Sequence, residues 1–69
     1  MDRATAAYLD LVANEWNRSK DPGTRDLWFR LVDLASENPS LASVKVQQFS
    51  RKRISDITPS DLPRPVEKY

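Results

Sequence analysis

The amino-acid sequence predicts a small all-α protein, a three-helix unit followed by an extended, proline-rich C-terminal arm. Apolar residues recur at helical spacing, and five prolines with a single glycine cut the chain into segments of helical length. The 69 residues allow one domain only. We therefore expect helices over about residues 2–19, 24–37 and 40–56, a single domain over 1–57, and an arm over 58–69.

The first expected helix carries its apolar residues on one stripe of a 3.6-residue period. Asp2 precedes this stripe, where a carboxylate can cap the helix and complement its dipole. Arg18 and Lys20 suit the opposite, negative end of the dipole. The stripe consists of Ala4, Ala7, Tyr8, Leu11, Val12 and Trp16.

A break over residues 21–24 separates the first helix from the second. Pro22 prevents the first helix from continuing, and Gly23 is expected where the chain reverses. Asp21 or Thr24 can cap the second helix. The apolar face of that helix consists of Leu27, Trp28, Leu31, Val32, Leu34 and Ala35.

Phe29 lies off this apolar face, about 100° from Trp28 on a helical wheel. The second helix is expected to end at Asn38, because the residue before Pro39 is pushed out of the α region. Ser40 is expected to cap the third helix.

The third helix has the poorest apolar pattern, because Arg53 falls within its stripe of Ala42, Val46, Phe49 and Ile57. The alternation over residues 44–47 also fits a strand, but a lone strand has nothing to pair with, so a helix is favoured. The expected core consists of Tyr8, Leu11, Val12, Trp16, Leu27, Trp28, Leu31, Val32, Leu34, Val46 and Phe49.

The chain changes character at Thr58. Prolines at positions 59, 63 and 65 exclude a regular helix there. We expect an extended or polyproline-II arm, with room for one helical turn over residues 58–61.

The composition argues against an enzyme. The absence of cysteine and histidine removes disulfides, thiolate metal sites and the commonest general base. One glycine cannot form a glycine-rich phosphate loop, so we expect no enzyme activity, cofactor, metal or small-molecule substrate. The sequence contains no apolar run of about 18 residues, so no membrane span is predicted. The first residues lack the apolar core of a signal peptide, and we expect a cytoplasmic protein.

The remaining features favour protein binding. Two residues each of tryptophan, tyrosine and phenylalanine are a heavy aromatic load for this length, and aromatic residues with arginine are typical interface anchors. We expect a small regulator, inhibitor or accessory subunit that binds a larger protein by occlusion or bridging. The expected partner-binding residues are Phe29, Arg51, Lys52, Arg53, Leu62, Arg64, Val66 and Tyr69.

Self-association is a further form of this expectation, with Leu34, Leu41 and Val44 as its seam. The alternative function is a DNA-binding transcriptional regulator that uses the third helix and its basic patch. Residues 38–69 hold six basic and three acidic side chains, but three adjacent basic residues are also typical of a solvated helix end. The expected nucleic-acid-binding residues are Lys45, Gln48, Arg51, Lys52 and Arg53.

Overall fold

The computed structural model describes residues 1–62, apart from the side chain of Pro59, and confirms an all-α fold of three helices. No strand occurs in this part of the chain, so residues 44–47 are helical. None of the three helices is long and apolar enough to cross a membrane. The elements are α1 (Arg3–Ser19), α2 (Pro22–Glu37) and α3 (Pro39–Phe49), followed by a first 3₁₀ turn (Ile54–Asp56) and a second 3₁₀ turn (Pro59–Asp61).

Helix α1 begins as the sequence predicts. The Asp2 side chain caps the helix by accepting a hydrogen bond from the backbone N–H of Thr5, with an N–O distance of 2.7 Å. Hydrogen bonding from Thr5 and then from Ser43 of α3 holds the pKa of the Asp2 carboxyl below its usual value of 3.8.

The turn between α1 and α2 differs from its prediction. Lys20, not Gly23, adopts the left-handed conformation, with φ of 56°, and its N–H donates to the carbonyl of Trp16 at 2.7 Å. Asp21 caps α2, and Pro22 is its first residue, where a missing N–H costs no hydrogen bond. Helix α2 therefore starts at Pro22 rather than at Thr24, and Gly23 lies inside its first turn.

Asn38 joins α2 to α3. Its N–H donates to the carbonyl of Leu34 at 2.7 Å, and its side-chain oxygen accepts from the N–H of Leu41 at 3.2 Å. Asn38 therefore caps both helices, and the prediction that Ser40 caps α3 is wrong. Pro39 again occupies the first helical position.

Helix α3 ends at Phe49, seven residues before the predicted end at residue 56. Continuation of the helix would carry Arg53 onto the buried stripe, where an unpaired guanidinium is costly. The chain turns instead, with the N–H of Lys52 donating to the carbonyl of Phe49 at 2.9 Å. Arg53 is thereby exposed, while Ile57 returns to the core.

The core agrees with the prediction at most positions, and the exceptions lie on α1, on α2 and at the C-terminal end. Leu11 is 56% exposed, whereas its neighbour Leu9, which the sequence pattern did not select, is buried. Trp16, Trp28 and Val32 were predicted as core residues and are only partly buried. The buried apolar residues are Tyr8, Leu9, Val12, Leu27, Leu31, Leu34, Ala35, Ala42, Val46, Phe49, Ile57 and Leu62.

The segment after Thr58 folds back onto the helices. The N–H of Thr58 donates to the carboxylate of Asp61 at 3.0 Å, which closes the second 3₁₀ turn, and this turn packs on α2. Leu62 then enters the core. Residues 58–62 are therefore not an extended arm, although the expected helical turn over 58–61 is confirmed. The rest of the predicted arm, residues 63–69, lies outside the described residues.

Tyr8 carries a buried hydroxyl that has no hydrogen-bond partner within residues 1–62. Burial raises the pKa of this phenol, and its ring lies against Phe49 with the centroids 6.3 Å apart. An unsatisfied buried hydroxyl costs stability, so Tyr8→Phe is expected to raise the free energy of unfolding by about 1 kcal/mol. Urea unfolding measures the change. Tyr8→Leu, which loses the ring as well, is the control, and a clear loss of stability in Tyr8→Phe would show that the hydroxyl is satisfied.

Candidate partner-binding site

A cleft of about 230 Å³ opens between the last turn of α1 and the first half of α2. Its lining is almost wholly apolar and includes both tryptophans of the chain. We call it the aromatic cleft, and its lining residues are Trp16, Asn17, Arg25, Trp28 and Phe29.

The turn at Lys20 and Asp21 creates this cleft. Only these two residues separate α1 from α2, so the end of one helix is held beside the beginning of the other. Arg25, Trp28 and Phe29 are spaced i, i+3 and i+4, which places their side chains together on one side of α2. The last turn of α1 supplies the opposite wall.

The aromatic rings of the cleft are only partly covered. Phe29 is 56% exposed, as its position off the apolar face predicts, and Trp16 and Trp28 are half-buried. The rings of Trp28 and Phe29 meet edge to face, with centroids 5.3 Å apart and an interplanar angle of 83°. Both tryptophans continue the apolar stripes of their helices, which predicted them as core residues. Their positions on either side of the turn between α1 and α2 are the feature that could have indicated a cleft.

Two cations border the cleft. The Lys20 ammonium lies 5.1 Å from the centroid of a Trp16 ring, a cation–π contact. Arg25 lines the cleft, and its guanidinium lies 3.7 Å from an Asp26 carboxylate oxygen; both of these side chains are more than half exposed. Such an exposed pair contributes little energy and separates readily.

The nearby carboxylates are occupied by contacts of their own. Both oxygens of Glu15 bind the Arg18 guanidinium, an interaction that raises the pKa of Arg18. Asp21 caps α2, accepting from the N–H of Gly23 and from the hydroxyl of Thr24, each at 3.2 Å. Among the described residues that line this apolar cleft, the charged one is therefore a cation, Arg25.

The structure does not bring the predicted partner-binding residues together in one site. Phe29 lines the cleft, and the basic residues 51–53 are exposed on the turn after α3 but are not part of its lining. Leu62 is 3% exposed, so its side chain contacts the chain's own core and we remove it from the partner surface. Arg64, Val66 and Tyr69 lie outside the described residues.

The predicted nucleic-acid residues lie on α3 and the turn that follows it. Gln48 and Arg51 line a shallow groove of about 160 Å³ together with Val44 and Gln47, and Lys45 is half-buried. The basic residues 51–53 follow α3 rather than belong to it, because the helix ends at Phe49.

The proposed self-association seam is mostly covered by the chain itself. Leu34 is buried, Leu41 packs against the core, and Val44 alone of the three is exposed.

Within residues 1–62, no three acidic side chains converge as a metal site would require. No protein-family model, no curated protein and no solved structure matches this chain.

Proposed function

We propose that this protein is a small, cytoplasmic, non-enzymatic regulator, inhibitor or accessory subunit that docks on a larger protein through the aromatic cleft. The observation that carries the proposal is the exposure of Phe29 at the edge of an apolar cleft that also contains both tryptophans. Covering these rings removes apolar surface from water, which is the main favourable term in protein association. Aromatic residues in a partly desolvated pocket are also the commonest sources of binding energy at interfaces.

The size of the cleft fits a protein anchor. Its volume of about 230 Å³ exceeds the roughly 150 Å³ of an apolar cavity that holds benzene. It is smaller than the roughly 300–1,000 Å³ of typical small-molecule pockets. One large side chain of a partner therefore fills it, and the surrounding surface forms the rest of the interface. Docking here occludes a surface of the partner or bridges it to another protein.

In-cell photo-crosslinking tests this function. Asn17 lines the cleft and is exposed, so a benzophenone amino acid at position 17 is positioned to react with a docked protein. We expect a crosslinked product of higher mass that disappears when Phe29 is replaced by alanine. Leu11→Ala is the matched control, because Leu11 is as exposed as Phe29 but does not line the cleft. Crosslinking that persists in Phe29→Ala, or is absent in the parent protein, contradicts the proposal.

Nucleic-acid binding is the second candidate function. Its support is the exposure of Arg51, Lys52 and Arg53 on one turn, beside a groove that contains Gln47 and Gln48. Cations of this kind bind phosphates in a salt-dependent manner, and glutamine reaches base edges. A labelled DNA duplex that binds at low salt and is released between about 50 and 200 mM salt would favour this candidate.

A further inference from the structure

We infer that the occupant of the aromatic cleft is an acidic peptide segment, in which one large apolar side chain enters the cleft and flanking carboxylates meet Lys20 and Arg25. The inference rests on the proposed function and specifies the chemistry of the partner. Two observations support it, namely the apolar lining of the cleft and the two cations at the border of the cleft.

The apolar part of the occupant follows from the lining. Trp16, Trp28 and Phe29 provide ring faces and edges, and the polar neighbours are confined to Asn17 and Arg25. A charged or amide group placed among these rings would lose its hydration without gaining enough hydrogen bonds. A leucine, phenylalanine or similar side chain has no hydrogen bonds with water to lose, and its burial there also covers the exposed part of the rings.

The acidic part of the occupant follows from the contacts that the charged side chains around the cleft already make. The carboxylates of Glu15 and Asp21 already accept hydrogen bonds from their own helices. The Arg25 guanidinium makes a long contact of 3.7 Å with Asp26, and the Lys20 ammonium lies over the face of a Trp16 ring. The carboxylates of a partner can therefore pair with Lys20 and Arg25, whose present contacts are weak.

The same arrangement disfavours a cationic occupant. Clefts with several aromatic rings can bind alkylated ammonium groups through cation–π contacts. Here the Lys20 ammonium already lies on Trp16, and Arg25 adds a second positive charge to the lining. A cationic ligand would meet like charges, whereas an anionic one is attracted by both cations.

Peptide selection tests the inference with a defined probe, a phage-displayed library of random 12-residue peptides. The library is selected on the full chain and, in parallel, on Phe29→Ala. We expect peptides enriched on the parent protein alone to share one large apolar residue flanked by aspartate or glutamate. Enriched peptides with the apolar residue and neutral or basic flanks overturn the inference but support a cleft that binds proteins. No enrichment over Phe29→Ala contradicts both the inference and the proposed function.

Charge neutralisation then tests the two cations separately. Binding of a selected acidic peptide is followed by the fluorescence of the cleft tryptophans. Lys20→Gln and Arg25→Gln are each expected to weaken binding about two- to fivefold, the range for one exposed ion pair. Arg3→Gln, which removes an exposed cation at the end of α1 opposite the cleft, is the control and is expected to bind like the parent. Equal affinity in all three variants, with helical circular dichroism retained, overturns the roles given to Lys20 and Arg25.

Discussion

Replacing Leu62 by alanine is expected to lower the free energy of unfolding by about 2–5 kcal/mol, because truncation of a buried leucine loses apolar burial and leaves a cavity. Leu62 is 3% exposed and follows the second 3₁₀ turn, which packs on α2. In a domain of this size each kcal/mol changes the melting temperature by about 4–8 °C, so the expected loss is roughly 8–40 °C. Thermal unfolding followed by circular dichroism measures it.

Leu11→Ala is the matched control for this experiment. It makes the same chemical change at a leucine that is 56% exposed, so we expect a change in unfolding free energy within about 0.5 kcal/mol. If the melting temperatures of Leu62→Ala and Leu11→Ala are the same, Leu62 does not complete the core. The extended arm predicted from the sequence would then be the better description of residues 58–62.

Replacing Phe49 by alanine is expected to be more damaging still, with a loss of about 3–5 kcal/mol. Phe49 is the last residue of α3, is 3% exposed and packs its ring beside that of Tyr8. A loss of this size is comparable to the roughly 3–5 kcal/mol that a core supplies in so small a domain without disulfide or metal. We expect most molecules of the variant to be unfolded at 25 °C in urea unfolding curves.

Phe29→Ala is the counterpart of Phe49→Ala, because it removes the same ring from an exposed position. Its main loss is the edge-to-face contact with Trp28, worth about 0.5–1.5 kcal/mol beyond buried area. We expect this variant to remain folded while it loses partner binding, so the pair separates folding from function. A Phe29→Ala variant as unstable as Phe49→Ala would show that Phe29 belongs to the core rather than to a binding surface.

Local periodicity was sufficient to predict the three helices and most of their buried residues. Val12, Leu27 and Leu31 are fully buried, and each lies on a stripe that the sequence alone defines. The capping role of Asp2 was also predictable, because a helix start leaves N–H groups that a nearby carboxylate satisfies.

The errors occur where a local pattern leaves a choice or where the deciding contact is distant. Leu11 lies on the predicted stripe of α1 and Leu9 lies beside it, and only packing against the other helices decides which of them is buried. Leu62 reaches the core after a 3₁₀ turn that packs on α2, a helix far earlier in the chain, whereas three nearby prolines indicated an extended arm.

The candidate site could be predicted only in part. Phe29 was identified because it lies off the apolar face of its own helix. The cleft beside it depends on the angle between two helices and on the left-handed conformation of Lys20, which no residue pattern indicated. Helical spacing shows that Trp16 and Trp28 face a neighbouring helix, but it does not show how fully that helix covers them.

The burial of Leu62 also has a consequence for the synthesis of the protein. A nascent chain leaves the ribosome from its N-terminus, so all three α-helices emerge before Leu62 is available. During this interval the surface of α2 that the second 3₁₀ turn later covers is open to chaperones and to other nascent chains. A chain truncated before Leu62 would therefore be an incomplete, unstable product that cellular proteases remove.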